Sequence, residues 1–114
     1  MLKHITIRPA TGTWVVRVGG AVIAESTKAL ELSEGELPAV IYFPRSDVAM
    51  AFLEPSDYRT TCQYKGDANY FDIVSRSKTY KAAVWSYEEP SDDVAEIKDH
   101  LAFYVQDGVT VEQV

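Results

Sequence analysis

The stretch Trp14-Val15-Val16-Arg17-Val18-Gly19-Gly20-Ala21-Val22-Ile23-Ala24-Glu25 decides the fold of this chain. Two runs rich in β-branched residues flank a Gly-Gly pair. Two-residue hairpin turns need positive φ at their central positions, which glycine adopts without a Cβ clash. The stretch therefore predicts an antiparallel hairpin, with Trp14, Val16 and Val18 sharing one face.

Outward from this hairpin the same pattern recurs. Residues 29–32 predict a strand, followed by an exposed turn at Ser33-Glu34-Gly35-Glu36. Val40-Ile41-Tyr42-Phe43 predicts another, closed by Pro44, which holds Phe43 extended and cannot donate to a ladder. Ser46 then reads as the N-cap of a short helix with Asp47 in its first turn, Val48 and Phe52 on one side, and Pro55 as its stop. Residues 60–64 and 70–74 read as strands around a turn at Lys65-Gly66-Asp67. Lys81-Ala82-Ala83-Val84-Trp85-Ser86-Tyr87 has apolar side chains on both faces, as a central strand does.

The clearest helix signal follows Pro90. Ser91 reads as its cap, Asp92 and Asp93 complement its dipole, and Val94, Ile97 and Leu101 form its apolar stripe. Residues 101–105 and 109–111 read as strands around Gln106-Asp107-Gly108. The expected fold is mainly β, with about eight short strands, one clear helix and one short helix in a curled sheet or small barrel.

Size and composition fit one domain spanning 1–114. The chain has 114 residues and a mass of 12.7 kDa, and 46% of its residues are hydrophobic, enough to bury a core. No window approaches the ~20 apolar residues that span a bilayer, and the first residues lack the apolar run of a signal peptide, so a cytoplasmic protein without a membrane partner is expected. Cys62 is the single cysteine, and His4 and His100 are the two histidines. That set offers neither an internal disulfide nor a closed zinc site, and no metal or other cofactor is expected. Net charge is −6, concentrated in residues 88–114, where Lys98 stands alone against eight acids. An acidic chain of this kind does not displace counterions from phosphates, which argues against nucleic acid as a partner.

In chain order, Ile23-Ala24-Glu25-Ser26, Tyr42-Phe43-Pro44-Arg45 with Asp47-Val48, Cys62 with Tyr64-Lys65-Gly66, Ala83 with Trp85-Ser86-Tyr87, and Ala102-Phe103-Tyr104 resemble the family named domain of unknown function 427. The resemblance covers nearly the whole chain. Gln63 departs from it, because the family often has proline after the cysteine. The resemblance implies a small, mostly β fold grouped with Mss4-like proteins, and it carries a nucleotidyltransferase-like label with no established role. The residues give that label little support. The chain contains no Asp-x-Asp or Asp-x-Glu pair to hold Mg²⁺ and no Gly-rich phosphate loop.

Several side chains then stand out as candidates. Arg45 and Lys65 could receive an anion, Arg45 through its planar fork and Lys65 as a point charge beside Gly66, where the backbone can approach closely. Each could equally serve structure, Arg45 in an ion pair with Asp47 or another acid and Lys65 as an exposed turn residue. Tyr42, Tyr64, Trp85, Tyr87 and Tyr104 have the make-up of an aromatic-walled cavity, and also that of an ordinary core. Cys62 and Glu25 are the catalytic candidates, as a thiol nucleophile and a desolvated general base.

The expected function is binding of a small anionic or polar ligand in that cavity, with Arg45, Asp47, Lys65 and Gly66 contributing. Two alternatives stand beside it. One is a small hydrolase or group transferase using Cys62 or Glu25. The other is an interaction module that self-associates through exposed strand edges, with no ligand.

Overall fold

A computed structural model describes residues 4–114, and it is built from ten β-strands and three short 3₁₀ turns. Ile5–Pro9 is β1, Trp14–Val18 β2, Ala21–Ser26 β3, Leu30–Glu34 β4 and Val40–Tyr42 β5. They are followed by β6 at Leu53–Cys62, β7 at Gly66–Val74, β8 at Thr79–Ser86, β9 at Leu101–Phe103 and β10 at Val109–Gln113. The hairpin β2–β3 forms as its sequence predicts, with Gly19 and Gly20 at φ of 55° and 89°.

The strands form three open antiparallel sheets, ordered β1-β4-β5, β10-β2-β3 and β6-β7-β8-β9. Phe43 and Leu101 exchange reciprocal backbone hydrogen bonds of 2.8 Å, which join the first sheet to the third. The result is a curled seven-stranded layer, with β2, β3 and β10 forming a second layer. Ala49 N–H donates to the Ile23 carbonyl at 2.8 Å and ties the two layers together.

Alternation along the curled layer, interrupted by register shifts in the β6–β7 and β7–β8 ladders, gives it two buried faces. Ile41 and Phe43 join a core with Val16, Ile23 and Val109 from the second layer, whereas Val40 and Tyr42 face the other way. On β8, Val84 belongs to the first core and Trp85 to the second. Phe43 and Leu101 are fully buried, and each such side chain contributes about 1.5–3 kcal/mol. The second core lies in the concavity of the curl. There the β6–β7 turn reaches across to the opposite edge, where the Tyr64 ring meets His4 edge-on at 4.5 Å.

Several expectations need correction. Among the described residues the strands number ten, not about eight, and of the expected curled sheet or small barrel the barrel does not close, because the sheets stay open. β1 adds a strand in which Ile5 and Ile7 alternate with Thr6 and Arg8 and pair with β4. Pro55 does not stop a helix. It lies inside β6, an edge strand, where proline costs no ladder bond on its outer side.

Neither expected helix is an α-helix. Residues 45–52 form two 3₁₀ turns, Arg45–Asp47 and Met50–Phe52, and Ser46 lies inside the first instead of capping it. Asp92–Ile97 is also 3₁₀, interrupted by Val94 at φ −128°. Its i→i+3 geometry puts Val94 and Ile97 on one side, both buried in the second core. Ser91 spends its hydroxyl on the Tyr64 carbonyl at 2.7 Å and not on a cap.

Candidate functional site

The concave side of the curled layer holds a chamber of about 210 Å³. Tyr42 on β5, Tyr70 on β7, Trp85 on β8, Tyr87 just beyond β8 and Tyr104 just beyond β9 give it aromatic walls. Leu32, Val40, Leu37 and Pro38 complete its apolar side, and Glu34 and Lys65 its charged end. Period-two alternation accounts for the convergence: Tyr42 and Val40 point inward from β5, and Trp85 and Tyr87 from the end of β8.

Polar atoms in the walls are ordered by one another. Trp85 Nε1 donates to Tyr42 Oη at 3.2 Å, and their rings meet edge-to-face with centroids 6.4 Å apart. Trp85 also packs on Tyr104 at 4.7 Å. Tyr70 and Thr60 share a hydroxyl–hydroxyl hydrogen bond of 2.9 Å. Lys65 Nζ donates to Glu34 Oε1 at 2.6 Å. The Tyr87 side chain is different. The residue as a whole is 5% exposed, but its hydroxyl has no hydrogen-bond partner among the described residues and keeps access to solvent.

Burial disfavours phenolate in this chamber. It pushes the Tyr42 hydroxyl up from 10.0 to about 12, partly offset by the Trp85 hydrogen bond, with nearby Glu34 adding to the rise. The Tyr87 hydroxyl is raised further, again by burial first and then by the neighbouring Tyr42 hydroxyl. Both phenols are therefore neutral hydroxyls at ordinary pH.

Of the residues singled out in the sequence, Tyr42, Lys65, Trp85, Tyr87 and Tyr104 line this chamber together. Tyr64 and Cys62 pack against the same apolar core and are not among the lining residues. Gly66, at φ +112°, lies against the Glu89 carbonyl. The Lys65 ammonium goes to Glu34, and Cys62 pairs in the β6–β7 ladder with Gly66.

Arg45 lies outside the chamber lining. Its Nε donates to the Asp99 carbonyl at 3.3 Å, and Nη2 reaches Ser86 Oγ at 3.3 Å and Glu88 at 3.4 Å. The guanidinium also covers the Phe71 ring at 5.6 Å. Asp47 instead accepts the Ser26 hydroxyl at 2.6 Å, and with Glu25 it lines a separate shallow depression. Among the described residues, no three His, Cys, Asp or Glu side chains converge as metal ligands would.

Besides the apolar Leu32, Leu37, Pro38 and Val40, two lining residues with polar atoms, Tyr70 and Glu34, escaped the sequence reading. Tyr70 shares the inward face of β7 with Ala68, an alternation that was legible. Glu34 falls at the end of β4, where only the long-range approach of Lys65 reveals a role.

No curated protein matches the chain. A family model described as a domain of unknown function, DUF427, matches residues 6–114, and the chain belongs to that family.

Proposed function

With membership of that family as the premise, we propose that this chain binds a small polar ligand in the tyrosine-walled chamber. One observation carries the reading. The Tyr87 hydroxyl, which has no hydrogen-bond partner among the described residues and keeps access to solvent, lines the same small chamber as Lys65, Glu34 and the Tyr42 hydroxyl. A hydroxyl that faces the chamber with its hydrogen-bonding capacity unspent on protein is a natural contact for an incoming ligand. Aromatic walls with a few oriented polar atoms are also the usual make-up of small-molecule sites.

Binding is proposed here without turnover. Cys62 is not among the lining residues, and the exposed Glu25 belongs to another depression, so neither is set against the chamber's contents as a nucleophile or base. No described helix is long and apolar enough to cross a membrane. A cytoplasmic location belongs to the same proposal, supported by the lone cysteine. We also read the curled layer as an open relative of the Mss4-like grouping. The mainly β, curled arrangement of a chain that belongs to this family supports that reading.

A thermal-shift panel of nucleosides, sugars, phenols, amides, carboxylates and phosphates tests the proposal. Saturating ligand at 100 times its dissociation constant adds about 2.7 kcal/mol, several degrees for a domain of this size. The expected result is stabilisation by one polar class, much reduced in Tyr87→Phe. No stabilisation by any class would sink it.

A further inference from the structure

We infer that the ligand is an uncharged amphiphile, with a planar hydroxyl- or amide-bearing head in the chamber and an apolar chain along the groove beside it. This inference rests on the ligand-binding reading above and narrows the class of ligand.

The first observation is charge balance. Lys65 and Glu34 neutralise each other at 2.6 Å, and they are the charged residues of the lining. A carboxylate or phosphate entering the chamber would have to take Lys65 from Glu34 and leave that acid unpaired in a poorly hydrated site. A cation would meet the converse cost. The chamber that holds Tyr42 as a neutral phenol penalises a ligand's net charge in the same way.

The second is hydrogen-bonding capacity. The Tyr42 oxygen already accepts from Trp85, so its own hydrogen is available to donate. The Tyr87 hydroxyl can donate and accept. Two hydroxyls in one chamber fit a head that offers both an acceptor and a donor, as amides and alcohols do.

The third is continuity. Leu37, Pro38, Val40, Trp85 and Tyr104 line both the chamber and an adjoining groove of about 990 Å³. That groove runs between the two layers towards Trp14 and Val111. Its outer wall includes Tyr104 and Val105, which are 50% and 66% exposed. A chain attached to a head in the chamber would leave it past Trp85 and cover this apolar wall.

The test titrates the full chain at neutral pH with benzamide, 4-propylbenzamide, 4-hexylbenzamide and 4-hexylbenzoate by calorimetry. Affinity is expected to rise about two- to fourfold per methylene in the amide series, the upper figure being full burial of each group. The benzoate is expected to bind at least tenfold more weakly than its matched amide. Val105→Asp, a change at an exposed position, should flatten the chain-length series and leave benzamide unchanged. Tyr87→Phe should weaken all three amides by a similar factor.

Benzamide binding without chain-length dependence would overturn the amphiphile and leave the polar pocket standing. A benzoate as tight as the amide would overturn the uncharged head. If no amide binds while another polar class stabilises the protein, the inference fails alone. If nothing binds, the ligand-binding reading fails with it. A concentration-dependent dimer that Val105→Asp dissociates would mark the groove as an interface between copies and overturn the inference.

Discussion

Lys65 Nζ lies 2.6 Å from Glu34 Oε1, and this contact ties the β6–β7 turn to the end of β4 with side chains only 11% and 22% exposed. The pair fixes one end of the chamber and closes the curl of the seven-stranded layer. Removing one partner leaves the other charge partly buried. Full burial would cost about 3–5 kcal/mol, and residual water access at Glu34 reduces that. Lys65→Met is therefore expected to destabilise by about 1–3 kcal/mol in urea unfolding. Adding Glu34→Gln to it should recover a substantial part of the loss, and strictly additive losses would contradict the pair.

Alkaline pH is expected to unfold the chain earlier than its overall charge alone would suggest. Burial raises Tyr42 from 10.0 to about 12, so the folded state keeps a proton that the unfolded state gives up. The stability is fully present below pH ~10 and is lost as pH rises through ~12, at up to about 1.4 kcal/mol per pH unit. Tyr87, raised in the same direction, steepens the fall. Absorbance titration of phenolate should show these tyrosines ionising together with unfolding, and Tyr42→Phe should flatten the slope of stability against pH in that window.

Arg45 is expected to act on stability and not on binding. Its guanidinium joins β5 to the end of β8 through Ser86 and Glu88, and to the Asp99 carbonyl. Lysine offers no planar fork to serve all three. Arg45→Lys should cost about 1–2 kcal/mol by analogy with charged hydrogen bonds, with ligand affinity in the chamber unchanged. A large affinity loss with no loss of stability would show that the guanidinium belongs to the site.

Gly66 tests the backbone behind Lys65. At φ +112° a side chain is strained, and a Cβ would also lie 3.3 Å from the Glu89 carbonyl oxygen. Gly66→Ala is expected to destabilise by about 1–3 kcal/mol. Denaturant unfolding would measure it, and a neutral effect would mean the turn relaxes freely.

The elements legible in the sequence were those with local causes. Gly19-Gly20 announces its hairpin because positive φ is a property of two residues, and the two-faced burial of β8 is visible in its own alternation. The aromatic wall was legible for the same reason. Tyr42, Trp85 and Tyr87 lie in strand patterns whose inward face can be read from their neighbours.

What escaped depends on contacts between distant segments. Pro55 looked like a stop, because only an edge position makes proline harmless in a strand. The stripe Val94, Ile97 and Leu101 suits an α-helix, but Ser91 is drawn to Tyr64 and Leu101 pairs with Phe43, leaving room for 3₁₀ turns alone. Arg45 and Lys65 looked like neighbours in one site. Each instead has its own acid from another strand or loop, Glu88 and Glu34, and that pairing is not encoded in spacing.

The measurement that tests the chamber most directly follows the two indole N–H signals, from Trp14 and Trp85, by ¹H–¹⁵N NMR. Benzamide is titrated into the labelled chain, and Trp85→Phe assigns the signals. The Trp85 indole, hydrogen-bonded to Tyr42 in the chamber wall, is expected to shift saturably while Trp14 stays in place. That shift should weaken in Tyr87→Phe. A Trp85 signal that does not move with benzamide or with any member of the polar panel would contradict a ligand site there.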